Sequence, residues 1–296
     1  MEEKMDTEKC RVLLSAIETG SLSAAAEKSG YTTSGVSRMM AGLEQETGFP
    51  LLTRSRGGVI PTRECEDLLP AMRELVKWTE VYRQTAGSVV GLETGELRIG
   101  TAYGIYLHEI SRQIADFGRD YPGIKIDITE ATSTELTRAL EDSKLDFCII
   151  SRREGNFDWI PFREDELLAL IPADHPLADS NSIPIAVYAK EQFISIYPGQ
   201  ETDNSRLFES CGIRPNTRYT TADSYTAFTM VEAGLGISMA NSLIVKNWAG
   251  NVKEIPLDPP QTVEIGIAVP SLKELSPAGR KFLKYIERRP DTSASL

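Results

Sequence analysis

A chain of 296 residues with 41% hydrophobic and 25% charged side chains is long enough for two or three cored domains, and its net charge of −11 excludes the general cationic attraction of a uniformly basic nucleic-acid binder. No apolar run approaches the ~20 residues that span a bilayer, and the acidic start MEEKMDTEK lacks the basic-then-apolar order of an export signal, so a cytoplasmic chain without membrane contact is expected. Two histidines and four cysteines without a C-x-x-C pair supply no evident metal cluster, disulfide framework or histidine triad, so no metal, cofactor or catalytic residue is expected, and Cys10, Cys65, Cys148 and Cys211 are expected as buried thiols.

In CRVLLSAIETG, Val12, Leu13, Ala16 and Ile17 recur at helical spacing, and Gly20 stops the helix with Ser21 or Ser23 placed to cap the next. The second helix is centred on SAAAEK, where Ala24, Ala25 and Ala26 let another helix cross closely. Gly30 then suits the left-handed turn of a helix-turn-helix. Thr32 can cap a third helix over 32–44, whose apolar side carries Val36, Met40 and Leu43. Its other side carries Thr33, Ser34, Ser37 and Arg38, a short polar surface in the half of the helix where a DNA-reading helix meets base edges. In LLTRSRGGVIPT, Arg54 and Arg56 flank a Gly57-Gly58 turn with no acid between Thr53 and Arg63. This reads as a wing over 53–60 that sets two guanidiniums against phosphates. Residues 1–94 carry 11 Lys and Arg against 14 Asp and Glu, so DNA binding has to come from such a local patch.

Residues 10–63 resemble the winged helix-turn-helix of LysR-type transcriptional regulators. The family order gSfs.AA..L..s...vS..i..LE..lG..Lf.R..r...lT is followed by GSLSAAAEKSGYTTSGVSRMMAGLEQETGFPLLTRSRGGVIPT. Departures are Ser29 for the usual Leu, Gly35 and Gly42 within the reading helix, and Cys65 where the family often has Gly. Each helix glycine costs about 1 kcal/mol relative to Ala, so a reading helix that is loose before DNA orders it is expected.

The linker over about 63–85 carries Leu68, Leu69, Met72, Leu75, Val76 and Tyr82 as an apolar stripe, with Pro70 expected to bend it. With little adjacent core to cover, the stripe is expected to pair with its copy in a second chain through Leu68, Met72, Leu75 and Val76. The homodimer would set two reading helices on neighbouring half-sites, and dimers would pair into a homotetramer. GSVVGLETGE then marks a domain boundary.

From Gly95 onward, apolar runs alternate with helical stretches, as in an α/β sheet. ELRIGTAYG, YLHEISRQIADFGRDYPG, IKIDITEATS and STELTRALEDSKLDFCII follow the LysR-type effector-domain order G.lriG......l...l..f...yP.v.v.l.e..s.el...l..g.lDlai. DELLALIPADHPLA and MVEAGLGISMA continue the resemblance over nearly the whole chain.

The resemblance implies an α/β multidomain protein: an all-α winged helix-turn-helix domain (1–62), a linker and dimerisation helix with hinge (63–91), and a two-lobed periplasmic-binding-protein-like effector domain (92–296). Lobe I would take 92–166 and 268–296 and lobe II 167–267, with crossing strands near Glu166 to Ile171 and Val263 to Val269. A ligand would lie at strand carboxyl ends, where TAYG, ATST, SRRE and ISIYPGQ supply Thr101, Tyr103, Thr132, Ser133, Arg152, Ser195 and Tyr197. Of the Arg152-Arg153 pair, Arg152 is expected to hold a carboxylate bidentately, which makes the effector an organic acid or another anionic polar metabolite. His175 is expected as a turn residue.

The function expected is therefore a DNA-binding transcription regulator that senses a small molecule. Double-stranded operator DNA, the effector and the protein itself are its expected partners, and RNA polymerase is a further candidate. The alternative is a small-molecule-binding protein or enzyme on the same two-lobe fold.

Overall fold

The computed structural model describes residues 6–55, 58–89 and 94–287. Three helices open the chain, α1 (Thr7–Thr19), α2 (Leu22–Ser29) and α3 (Thr33–Thr47). Asp6, Ser21 and Thr32 cap them by accepting from the backbone N–H of Glu8, Ala24 and Gly35, and Gly20, Gly30 and Gly48 end them in left-handed conformation. Val12, Leu13, Ala16, Ala25, Val36, Met40 and Leu43 close into one core with Leu51 and Val59. The hairpin is present, β1 (Leu52–Ser55) pairing antiparallel with β2 (Gly58–Pro61). Near its tip the hairpin is pinned to the α1–α2 turn, since the Val59 N–H donates to the Gly20 carbonyl at 2.9 Å. A Cβ on Gly58, at φ 120°, would lie 2.3 Å from that same oxygen, so only glycine fits. Arg56 and Gly57, the expected wing tip, lie outside the described residues.

The glycines of α3 do not interrupt it. A Cβ on Gly42 would lie 3.2 Å from Lys9 Nζ, and Lys9 pairs with Glu46. Gly42 thus makes room for a salt bridge between α1 and α3.

Helix α4 (Arg63–Val89) continues through Pro70. Leu69 and Met72 are buried in the helix-turn-helix core, and Leu68 and Val76 pack against it. This corrects the expectation that the stripe has little core of its own to cover, because α1 lies alongside it. The apolar side chains left exposed are Leu75, Trp78, Tyr82 and Val89, at intervals of three, four and seven residues, the spacing of a coiled-coil seam. Elsewhere α4 is tied to the α/β region of its own chain. Arg73 pairs with Asp142 at 2.5 Å, Ser143 donates to Glu74 at 2.6 Å, and the buried Gln84 donates to the Glu96 carbonyl and accepts from Ala278 N–H.

The α/β region runs β3 (Gly95–Thr101), α5 (Gly104–Asp120), β4 (Ile124–Glu130), α6 (Ser133–Glu141), β5 (Phe147–Ser151), β6 (Asp158–Pro172) and β7 (Ile183–Pro184). A 3-10 turn (Ile185–Ala189) then leads to β8 (Phe193–Ile196), α7 (Asp203–Ser210), β9 (Thr217–Thr221), α8 (Ser224–Glu232), β10 (Ser238–Asn241), α9 (Ser242–Val245), β11 (Val252–Asp258), β12 (Thr262–Val269) and α10 (Pro277–Glu287). The large sheet has the order β4-β3-β5-β12-β6-β11-β7, with β10 also on β6. β6 and β12 are the crossing strands: Asp158–Glu166 pairs with β12, and from Leu167 onward β6 pairs with β10 and β11 instead. One core gathers Leu97, Phe117, Phe147 and Phe282 on the first side of that switch, and another gathers Tyr188, Phe193, Phe208 and Met239 on the second. No helix among the described residues is long and apolar enough to cross a membrane.

Cys10, Cys65 and Cys148 are buried as expected, but Cys211, which follows α7, is exposed. Burial pushes the Cys65 thiol up to about 11 and that of Cys148 up to about 12, which removes the reactive thiolate at neutral pH. A thiol reagent should therefore label one cysteine of the native chain rapidly and all four only after unfolding; comparable rates for two or more native thiols would contradict this packing.

Candidate DNA-contacting surface and interlobe cleft

The polar face of α3 stands at its N-terminal end. Thr32, Thr33, Ser34 and Arg38 are exposed and Ser37 is half-buried. The Thr32 hydroxyl is occupied as a cap, accepting from Gly35 N–H at 3.1 Å and lying 3.2 Å from the Ser34 hydroxyl. Thr33, Ser34 and Arg38 thus present their side chains outward. Tyr31, exposed in the turn before the cap, joins this surface and was missed because its position was read only as a turn. No carboxylate occurs from Lys28 to Leu43 or from Leu51 to Arg63, so a locally cationic surface exists on an acidic chain. Arg54 stands opposite Val59 in the hairpin register, and Arg56 lies outside the described residues.

The two lobes meet in a buried polar contact. Ser133, at the start of α6, lies 3.2 Å from the Ser151 hydroxyl at the end of β5. Ser151 donates to Asp203 Oδ1 at 2.7 Å, and Arg153 donates to the same oxygen at 2.8 Å. Asp203 opens α7, in the second lobe, and the Arg153 and Asp203 side chains are only 7% and 4% exposed. Arg206 donates to the Arg152 carbonyl at 2.8 Å, and Thr134 to the Glu201 carbonyl at 3.2 Å.

The Arg152 side chain is not part of this contact, to which only its carbonyl contributes. Its N–H continues the ladder to the Glu264 carbonyl, and alternation along an extended chain sends Ser151 and Arg153 to one side and Arg152 to the other. Its guanidinium is exposed, paired with Glu264 at 2.8 Å and set over the Trp159 ring at 5.9 Å. The expected carboxylate holder therefore lies away from the lobe contact, and Arg153 with Asp203 stands there instead. Asp203 was not among the expected residues; it follows Thr202, the N-cap of α7. Thr132 caps α6 in a reciprocal pair with Glu135, and the buried Thr101 donates to the Tyr103 carbonyl at 2.9 Å. His175 accepts from Leu177 N–H within a turn.

A cavity of about 420 Å³ lies between the lobes. The first lobe lines it with Tyr103 and His108 of the α5 entry and with Glu130 at the end of β4. The second lines it with Tyr197, Asp223, Tyr225 and Trp248. Ser195, together with Tyr197, lines a separate cavity of about 360 Å³ within the second lobe. Tyr197 holds a φ of 53°, a left-handed conformation that is rare for an aromatic residue and clusters at ligand sites. Burial, aided by Asp223, Glu130 and Glu135, pushes its phenol up; burial, then Asp203, does the same to Tyr103. Asp223 caps α8, and hydrogen bonds from Thr226 hold its carboxyl below the usual range. Among the described residues no group of three or more His, Cys, Asp or Glu could hold a metal ion. The Ser151 hydroxyl is directed at Asp203.

Residues 7–66 match the family model of the bacterial regulatory helix-turn-helix protein, lysR family, and residues 91–291 match that of the LysR substrate binding domain. The chain is 27% identical over 277 residues to the uncharacterized HTH-type transcriptional regulator YvbU of Bacillus subtilis (strain 168), covering 93% of this chain and 95% of that one. It is 24% identical to the malonate utilization transcriptional regulator of Klebsiella pneumoniae, covering 97% and 99%. Among solved structures, a full-length OxyR variant from Pseudomonas aeruginosa is similar in fold, with a TM-score of 0.73, 21% identity and coverage of 97% and 95%. Full-length CbnR complexed with its target DNA gives a TM-score of 0.63, 16% identity and coverage of 96% and 99%.

Proposed function

The chain belongs to the LysR family of bacterial regulatory proteins, a DNA-binding transcription regulator with an effector-binding domain, and from that premise we propose which of its residues do the work. Residues 1–62 bind DNA, 63–91 link and dimerise, and 92–296 bind the effector. The start of α4 at Arg63 and the partner switch of β6 after Glu166 support the domain bound at 62/63 and the lobe bound at 166/167, whereas the expected return to lobe I at 268 moves to about 262, because β12 (Thr262–Val269) pairs with β5 and the first half of β6 and places Ile265 and Ile267 in the first core.

Thr33, Ser34, Ser37 and Arg38 read base edges, Thr32 fixes the start of the reading helix, and Arg54 and Arg56 hold phosphates. The observation that carries this is the exposed hydroxyl and guanidinium face at the start of α3, in a stretch without a carboxylate. An Arg that reads a base loses about 1–3 kcal/mol of discrimination on removal, whereas a phosphate contact weakens all sequences alike and lowers the salt slope by about one unit. Arg38→Ala is thus expected to change which operator is preferred, and Arg54→Ala to weaken matched and scrambled DNA equally. Binding titrations on both DNAs at several salt concentrations check this; equal losses from Arg38→Ala would place it on phosphate.

A homodimer forms through the exposed face of α4, with Leu75 the member of the expected set that remains available, joined by Trp78 and Tyr82. Met72, Leu68 and Val76 serve the core of their own chain. Dimers pair into tetramers that work in the cytoplasm and meet RNA polymerase at the promoter. A small polar effector occupies the interlobe cavity, and it shifts the oligomer between two arrangements by the difference in its affinity for them, typically about 1–3 kcal/mol.

A further inference from the structure

Resting on the reading of the interlobe cavity as the effector site, we propose that its ligand is an organic cation, an ammonium seated among the rings of Tyr103, Tyr197, Tyr225 and Trp248 and neutralised by Glu130 and Asp223. Charge on the walls comes first. Two carboxylates line the cavity, and no Lys or Arg is among the described residues that do. The guanidiniums nearest in sequence to the cleft are engaged, Arg153 with Asp203 and Arg152 with Glu264. An anion there would face two full negative charges with no Lys or Arg and only the His108 imidazole to offset them.

The carboxylates are placed to act outward. The Glu130 side chain makes no hydrogen bond or salt bridge among the described residues, while Asp223 is fixed in one orientation by Thr226. Both raise the affinity of the Tyr197 phenol for its proton, the sign of a negative field inside the cavity. The opposing feature is the start of α5, where Tyr103 supplies no side-chain cap. The start of α8, capped by Asp223 itself, adds a second; each helix N-terminus carries about half a positive charge, so the pair stays below the two negative charges, Glu130 in the lobe of α5 and Asp223 in the other.

The rings supply the other half of a cation site. Trp248 meets Tyr225 edge-on at 5.2 Å and 76°, and Tyr225 stacks parallel to Phe228 at 6.2 Å, so the rings of this wall pack on one another. Aromatic faces attract a cation through their quadrupole, and a cage of such faces recognises alkylammonium groups. The Arg152 reading that favoured an organic acid fails on position, and the cavity's own residues favour the opposite charge.

Calorimetry on the full chain tests this with probes matched in shape. Putrescine, tyramine and choline are compared with succinate, 3-(4-hydroxyphenyl)propionate and the neutral isostere 3,3-dimethylbutan-1-ol. At least one ammonium should bind about tenfold or more tightly than its isostere, and Glu130→Gln and Asp223→Asn should each weaken it about tenfold. Asn is as good a helix cap as Asp, so the second variant removes charge and keeps α8 in place. An isostere that binds as well, variants that leave the affinity unchanged, or no ammonium binding up to about 10 mM would overturn the proposal. A carboxylate that binds and is lost in Trp248→Ala would overturn the charge class while leaving the cavity as effector site; ligand binding indifferent to Trp248→Ala would remove the cavity itself.

Discussion

Leu75→Glu should convert the protein to monomers and remove most of its operator affinity. In a two-fold seam the new carboxylate meets apolar neighbours and its own copy, and leaving a charge without a partner in such a place costs roughly 3 kcal/mol or more, a rise of at least about 100-fold in the dimer dissociation constant. Loss of the second half-site then removes the gain of linked binding, of order 10²–10⁴. Trp78→Lys should act alike, since Trp78 lies three residues on along the same exposed face. Met72→Glu is the contrasting case: its side chain is 1% exposed within the helix-turn-helix core, so it should unfold the DNA-binding domain. Light scattering with circular dichroism separates the outcomes, and a folded Leu75→Glu dimer would place the seam elsewhere.

Arg153→Ala should destabilise the effector domain by about 3–5 kcal/mol, because it strands the Asp203 carboxylate without its ion-pair partner. Among the described residues, the Ser151 hydroxyl and the more distant Arg206, at 3.9 Å, remain beside it. Removing the carboxylate as well, in Arg153→Met with Asp203→Leu, should recover much of the loss, since replacing a buried pair by apolar groups of similar volume is often neutral. Denaturant titration of Arg153→Met, Asp203→Leu and the double completes the cycle. Additive losses would mean that Arg153 and Asp203 act independently. The double variant should still bind operator DNA, because this contact lies between the effector lobes and not at the reading helix.

The helix-turn-helix was legible in the sequence because its punctuation is local. Caps at Ser21 and Thr32, left-handed glycines at Gly20 and Gly30, and apolar residues at helical spacing each act within one or two turns. The crossing strands were legible through the family resemblance, and β6 and β12 cover the positions it implied. Contacts between distant segments were not. The stripe on α4 was visible, but which of its residues face α1 depends on how two elements dock, and so Met72 was read as a seam residue. Arg152 and Arg153 differ by one position, and one step along a strand reverses the side a residue faces. Asp203 and Asp223 lie about 50 and 70 residues beyond Arg153; nothing local marks two helix-start acids as cleft residues.

Quantitative footprinting of the purified full chain on the intergenic DNA upstream of its own gene is the most direct measurement. The expected result is protection of two half-sites separated by about 10 base pairs or a multiple of that, an altered base preference for Arg38→Ala, a single weakly held half-site for Leu75→Glu, and a pattern that shifts when the cavity ligand is added. Equal protection of a scrambled sequence, or a footprint that Arg38→Ala leaves untouched, would contradict DNA reading by the face of Thr33, Ser34, Ser37 and Arg38.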